Sequence, residues 1–292
     1  MRAGGQTAVR ILETDLGGSI GGEGGPYLEF AFPDPLGKPP SPKTPGPRAI
    51  LSLRGAGSLR YLGDRGNPLR ADFFSSLGLA PGSVVATELH HTRRLRLLAP
   101  QASSLPGDRG GELDASLLEG EDFGDGGPDG AGGRDGLLAF PEDLGALALA
   151  VTVADCMPIW IHDTASGAYG VLHSGWKGTG ILARAVEALE RRGSDPAGIS
   201  VILGPAIGAC CYEVDPARAA VFEAEFGAVA VDRSGPRPRL DIRAANLALA
   251  KDLGLGALLS IDACTSCEPE LGSFRREGPE AFTRMVALCL PG

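Results

Sequence analysis

Four apolar runs packed into less than sixty residues constrain this chain more than any other feature. They are Leu147–Ala154, Met157–His162, Ala168–His173 and Ile199–Leu203. Each is too short for a buried helix and is bounded by turn residues, so each reads as a strand buried on both faces. Helical spacing appears after the third run, where Ile181, Leu182, Ala185, Val186 and Leu189 recur on one face and Arg191-Arg192-Gly193 supplies a stop. Asp215 to Phe226 and Ile242 to Leu253 also read as helices, and Ala49–Leu53 and Ser83–Leu89 as earlier strand pieces. Alternation of strands and helices places the chain in the α/β or α+β class.

The rest of the chain is less uniform. Residues 1–48 form a Gly/Pro-rich segment, with a Pro-rich stretch from Pro33 to Pro47 that reads as an extended loop. Residues 49–292 read as one catalytic domain. Within it, Gly107 to Gly133 is dominated by Gly, Asp and Glu, has few large apolar residues, and reads as a mobile insert. A formal charge of −9 argues against a general nucleic-acid binder, although a local basic pocket for a small anion remains compatible. No apolar run has the length of a membrane span, and the N-terminus lacks the pattern of a secretory signal, so the expected location is the cytoplasm. Six cysteines in 292 residues are too few for a disulfide scaffold, which leaves them as core residues, ligands or nucleophiles.

The four histidines are His90, His91, His162 and His173. His90 follows one β-rich segment, His173 ends another, and Cys156 lies between two apolar strands. Two imidazoles and a thiolate make the three-ligand set that leaves one position open on a catalytic zinc, where a water can bind and its pKa can fall. The alternative is plain: a His at a strand end is often only a polar surface residue, and Cys is commonly buried. His162, before Asp163, reads as a surface turn residue. Cys264-Thr-Ser-Cys267 is a CxxC that lacks both the second pair of a zinc site and the preceding βαβ unit of a redox motif. The turn from His173 to Gly180 joins a strand to a helix, and its glycines and Lys177 suit a phosphate or carboxylate, or else form only a tight turn. Gly204 to Gly208 is a second such rim or loop. Arg275 and Arg276 can clamp an oxygen-rich substrate, or be a solvated pair.

Taken together, these segments resemble one family. Ala154-Asp155-Cys156-Met157-Pro158 and His173-Ser174-Gly175-Trp176-Lys177-Gly178-Thr179 resemble its ADC-x-P … HAGWRGT signature. Gly204 to Gly208 with Cys211-Tyr212-Glu213-Val214 is similar to its GPAIG-x-CCYEV block. Leu240-Asp241 … Ala244-Ala245-Asn246, Cys264-Thr265 … Cys267, Ser273 to Arg276 and Thr283-Arg284-Met285 follow in the family's order. The family carries the names laccase domain, polyphenol oxidase, peptidoglycan editing factor and purine nucleoside phosphorylase. The resemblance runs from about Asp135 to Leu288, and Glu88-Leu89-His90 is similar to its Q-V-H.

The resemblance implies a layered α/β/β/α mixed-sheet fold and a metal held by His90, Cys156 and His173. It implies a zinc-dependent purine nucleoside phosphorylase acting on adenosine, inosine, guanosine and methylthioadenosine, with adenosine deaminase activity. In that reading Cys156, His173 and Glu88 are catalytic, and Lys177, Arg275 and Arg276 bind substrate or phosphate. The partners are a nucleoside and phosphate, not nucleic acid or membrane. Departures from the family pattern are Glu88 for Gln, Lys177 for Arg, Phe274 for Tyr, and Phe282-Thr283-Arg284 where a Gly-Arg pair is usual. His91, adjacent to His90, is a competing ligand. Cu²⁺ is a possible occupant, but four histidines cannot furnish several copper centres, which disfavours a copper polyphenol oxidase. The main rival is a cysteine hydrolase or amidase editing peptidoglycan precursors, with Cys156 as nucleophile and His173 as base. A metal-binding scaffold acting through partners is the non-enzyme alternative.

Overall fold

In a strand buried on both faces, neighbouring side chains enter different cores, and Met157–Asp163 does so in this protein. Met157, Ile159 and Ile161 pack with the Ile181–Arg191 helix, while Trp160 faces the other way. The computed structural model describes residues 10–14, 25–37, 46–80, 82–98, 112–118, 120–124, 133–140 and 147–292. Among them the strands are β1 (Arg10–Thr14), β2 (Tyr27–Ala31), β3 (Arg48–Ser52), β4 (Val84–Ala86), β5 (Leu95–Leu98) and β6 (Leu113–Asp114). There follow β7 (Gly120–Phe123), β8 (Gly136–Ala139), β9 (Ala148–Val153), β10 (Met157–Asp163) and β11 (Tyr169–Ser174). The series ends with β12 (Ile199–Leu203), β13 (Val231–Asp232), β14 (Arg239–Leu240), β15 (Ala257–Ile261) and β16 (Met285–Leu290).

These strands build an eight-stranded mixed sheet, β1-β15-β12-β10-β11-β8-β5-β7, and a six-stranded mixed sheet, β2-β3-β16-β9-β4-β6. β13 and β14 form a separate antiparallel pair. Leu149, Val151, Trp160, Val171, Ile202 and Ala287 fill the space between the two large sheets. The outer face of the larger sheet is covered by the helices Ile181–Arg191 and Ile242–Asp252. The outer face of the smaller one, with Ile50, Ala148, Val286 and Leu288, is covered by Phe73 and Phe74 of the Pro68–Ser76 helix. The architecture is therefore α/β/β/α, as expected. Trp160 Nε1 on β10 donates to the Leu288 carbonyl on β16 at 2.8 Å, so one buried side chain bonds the two sheets together.

Two pieces of the stretch from 107 to 133, expected as a mobile insert, lie among the described residues and include strands. Leu113–Asp114 pairs with β4 and Gly120–Phe123 pairs with β5, so this segment adds an edge strand to each sheet. Its few apolar residues account for this: Leu113, Leu118 and Phe123 are buried. Glu112 is held at 2.6 and 2.7 Å by Arg70, a fully buried arginine that also bonds the Leu59 carbonyl. The rest of the insert, and residues 38–45 of the Pro-rich stretch, lie outside the described residues. His162 is not a turn residue either. It sits within β10, half-buried against the ring of Phe32 at 5.5 Å. Among the described residues no helix is long and apolar enough to cross a membrane.

Candidate metal centre and cleft

The chain crosses from the smaller sheet to the larger between β9 and β10, and Cys156 lies on that crossing. His173 is near the end of β11, opposite Pro158 of β10. The third group to reach them is His91. Ligand atoms of His91, Cys156 and His173 all lie within 4.8 Å of one another, which is the set a metal ion needs. His90, the expected ligand, is outside this cluster. Its Nε2 is instead 4.0 Å from Glu88 Oε2, at the mouth of the cleft.

Backbone geometry explains the exchange. β4 ends at Ala86, so strand alternation no longer governs which histidine points inward. The chain then turns through a left-handed residue, His91, at φ 56°. That turn directs the amides of His90, His91 and Thr92 onto one carboxylate, Asp135, at 3.2, 2.9 and 2.6 Å. With its backbone fixed in this way, the His91 side chain is delivered to Cys156. The other non-glycine residue with a left-handed backbone among the described residues is Asp155, at φ 75°, immediately before Cys156. Gly175 completes the close packing, because a Cβ there would lie 2.7 Å from Cys156 Sγ.

Asp135 was not singled out from the sequence, and it organises the centre. It is fully buried, accepts the Thr92 hydroxyl at 2.7 Å, and meets His173 Nδ1 at 3.0 Å. Burial alone would raise its pKa, but His173 and the Thr92 donors outweigh that and hold it below the usual carboxylate range. The contact also fixes the ring of His173, leaving Nε2 for Cys156 or a metal. Burial likewise opposes ionisation of Cys156, yet the charge and hydrogen bond of His173, helped by His91, bring the thiol down to about 6. His173 moves the opposite way: burial lowers it, and Cys156 and Asp135 raise it further. A thiolate at neutral pH is the protonation state that a metal ligand requires.

The centre opens into a cleft of about 690 Å³. Glu88, His90, Lys177 and Arg275 are among its lining residues. However, the Arg275 guanidinium is engaged with the carbonyls of Cys211 and Glu213 at 2.9 and 3.1 Å. Arg276 does not reach the cleft. Its guanidinium is spent on the carbonyls of Thr265, Glu268 and Leu271 and on Glu277, so it ties a loop together instead of binding substrate. Asp155 is also committed, with one oxygen accepting Thr265 Oγ1 at 2.6 Å and the other the Arg275 amide at 2.7 Å. In the glycine turn the amides of Thr179 and Ile181 bond within the turn, and beyond His173 itself Trp176 and Lys177 are the residues of that motif that line the cleft. Ile207 is the contribution of the Gly204 to Gly208 segment.

Three cations of the wall were not anticipated: Arg60, Arg218 and Arg284. Burial and the nearby charge of Arg60 both lower the pKa of Arg284. Among the described residues neither has a carboxylate partner, although Arg284 stacks on Phe282 at 3.7 Å. Phe274 and Phe282 meet edge to face at 5.0 Å, and with Tyr212 and Trp176 they give the cleft an aromatic lining.

Fold and centre together define a layered two-sheet protein with a His–Cys–His cluster, of the kind that can hold a metal ion, at the crossing between its sheets. The chain belongs to the family described as multi-copper polyphenol oxidoreductase laccase, whose match spans residues 69–290. It is 35% identical over 148 residues to a purine nucleoside phosphorylase of Mycobacterium tuberculosis, covering 50% of this chain and 58% of that protein. It is 38% identical over 135 residues to one of Corynebacterium glutamicum, covering 45% and 54%. The chain thus spans little more than half the length of these curated relatives. The fold is similar to that of YlmD from Geobacillus stearothermophilus, with a TM-score of 0.69 and 24% identity, covering 95% of this chain and 99% of that one.

Proposed function

We propose that this cleft carries out phosphorolysis of purine nucleosides, with zinc held by His91, Cys156 and His173. One observation carries the reading. A cluster of the kind that can hold a metal ion, an aromatic lining and two guanidinium groups, Arg60 and Arg284, share a single cleft of about 690 Å³. Such a cleft suits a flat base, a polar sugar and an inorganic anion together. The names of the relatives point the same way. The residues present fit a zinc ion, because the donor set is two imidazoles and a thiolate whose ionised form the site already favours. When bound, the ion supplies Lewis-acid polarisation of an oxygen at its open position.

Arg60, Arg284 and Lys177 hold phosphate, and Phe274 and Phe282 stack on the base. A phosphate oxygen forms the bond to the sugar C1′ as the bond from C1′ to the purine nitrogen breaks, and the base leaves with the bonding pair. The departing purine nitrogen takes up a proton from water, relayed past Glu88 and His90 on the cleft wall. Adenosine, inosine, guanosine and methylthioadenosine are the substrates in this reading. Adenosine deamination, in which a water oxygen bonds to the ring carbon bearing the amino group and ammonia leaves as that C–N bond breaks, is a second reaction of the same cleft.

The Cys156–His173–Asp135 line also resembles a nucleophile–base–orienter triad, which favours a cysteine amidase as second reading. Incubation of adenosine with and without phosphate, with products separated by chromatography, decides between them. Adenine and ribose 1-phosphate appearing only with phosphate, lost on chelation, support phosphorolysis. No turnover of any of the four nucleosides by folded, metal-loaded protein overturns it. Amide hydrolysis that survives chelator and is lost on alkylation establishes the second reading.

A further inference from the structure

The CxxC at Cys264 and Cys267 does have a second pair, but that pair is vicinal and lies more than fifty residues upstream. Cys210 and Cys211, after β12, meet Cys264 and Cys267, after β15, with all four sulfurs within 4.8 Å of one another. β12 and β15 are parallel neighbours in the larger sheet, so the loops leaving their ends run side by side. A parallel bridge between Ala206 and Cys264 continues that pairing into the loops. The fold therefore brings the two pairs together before any ligand is considered.

We propose that Cys210, Cys211, Cys264 and Cys267 form a second, structural zinc site that clips these two loops together. Cys210 and Cys211 lie 3.7 and 3.5 Å from Cys267, sulfur to sulfur. Tetrahedral zinc with bonds of about 2.3 Å places its sulfurs about 3.8 Å apart, whereas a disulfide needs about 2.05 Å. One sulfur is already treated as an acceptor, since the Gly208 amide donates to Cys264 Sγ at 3.2 Å. Two guanidinium groups flank the cluster. Arg275 donates to the Cys211 carbonyl at 2.9 Å and Arg276 to that of Thr265 at 2.7 Å, so positive charge lies beside what would be a doubly negative tetrathiolate.

None of the four cysteines lines the cleft, but Ile207, Tyr212 and Arg275, carried on or beside the clipped loops, do. Four protein ligands leave no open position, which marks the site as structural and distinct from the three-ligand centre. The clip thus holds one wall of the cleft in place without taking part in its chemistry. This inference does not depend on which reaction the cleft performs.

The test uses Cys156→Ser protein, purified in reductant and dialysed against zinc, with metal counted by plasma mass spectrometry. It retains about one zinc per chain, and the added pair Cys264→Ser and Cys267→Ser removes it. Cobalt(II) replacing zinc gives the intense charge-transfer band of thiolate ligation, which in a chain lacking Cys156, with Cys289 sealed in the core, arises at the four-cysteine site. Unmutated protein supplies a check that needs no folding of variants. Cys210 and Cys267, both exposed, resist iodoacetamide in zinc-loaded protein and react after chelation, as read by peptide mapping. The proposal is overturned if Cys156→Ser protein binds no zinc while its thiols titrate as free. It is equally overturned if the exposed cysteines alkylate at one rate with and without metal, or if they are isolated as a disulfide from protein kept in reductant.

Discussion

Replacing Asp135 by Asn changes almost no volume and removes one charge, so its effect isolates what the carboxylate does. One oxygen accepts from the His90 and His91 amides and meets His173 Nδ1, while the other accepts the Thr92 amide and hydroxyl. An amide has only one acceptor oxygen. Turned to spare His173, its NH₂ faces the Thr92 N–H and leaves that buried donor unpaired, at a cost of about 1–3 kcal/mol. The remaining bonds lose their charge assistance and are weakened by roughly half. The sum is about 3–4 kcal/mol, within the range for breaking a buried pair and a large part of a typical domain's ~5–15 kcal/mol. Ligand orientation suffers as well, and zinc affinity falls about 10–100-fold. Urea denaturation of metal-free protein reads the first effect and competition with a chelator the second. A loss below about 1 kcal/mol with unchanged zinc affinity would refute Asp135 as the organiser of the centre.

Two further perturbations probe the fold. His162 is held down to about 4 by burial, so it is neutral in the folded chain and takes up a proton on unfolding below its ordinary 6.5. Its contribution is complete above pH ~6.5 and is lost as pH falls toward ~4, by at most about 3 kcal/mol. The urea midpoint of His162→Phe should therefore fall less than that of the unmutated chain on acidification, and parallel curves would contradict this. Trp160→Phe removes the bond from one sheet to the Leu288 carbonyl and leaves a small cavity. It should cost about 2–4 kcal/mol in the same assay, and a neutral result would show that the bond between sheets is dispensable.

What was legible in the sequence was what one-dimensional periodicity encodes. Strands β9 to β12 and the helix at Ile181–Arg191 stand where the apolar spacing puts them, because a segment packed on both faces carries the same message at every residue. β1, β5 and β7 carry polar or charged residues that interrupt the apolar pattern, and Ala257–Ile261 and Met285–Leu290 are short apolar runs whose periodicity alone does not separate a buried strand from a buried helix. At the site, Cys156 and His173 were legible because they adjoin strands. The choice between His90 and His91 was not, since a left-handed residue beyond the strand end reverses what alternation would suggest. Arg275 and Arg276 look alike in sequence, and only the carbonyls around Arg276 show that it faces a loop. Asp135 was hidden among the many acidic residues around the insert. The second cysteine pair was hidden because Cys210 and Cys211 are vicinal, without CxxC spacing.

The central claim is that the working centre is His91, Cys156 and His173, and that it acts on purine nucleosides. Phosphate-dependent release of adenine from adenosine, measured for His91→Ala and His90→Ala side by side at saturating zinc, tests it most directly. The account predicts that His91→Ala abolishes turnover, whereas His90→Ala keeps its zinc and loses only part of its rate. Full activity in His91→Ala, or loss of zinc in His90→Ala but not in His91→Ala, would contradict it.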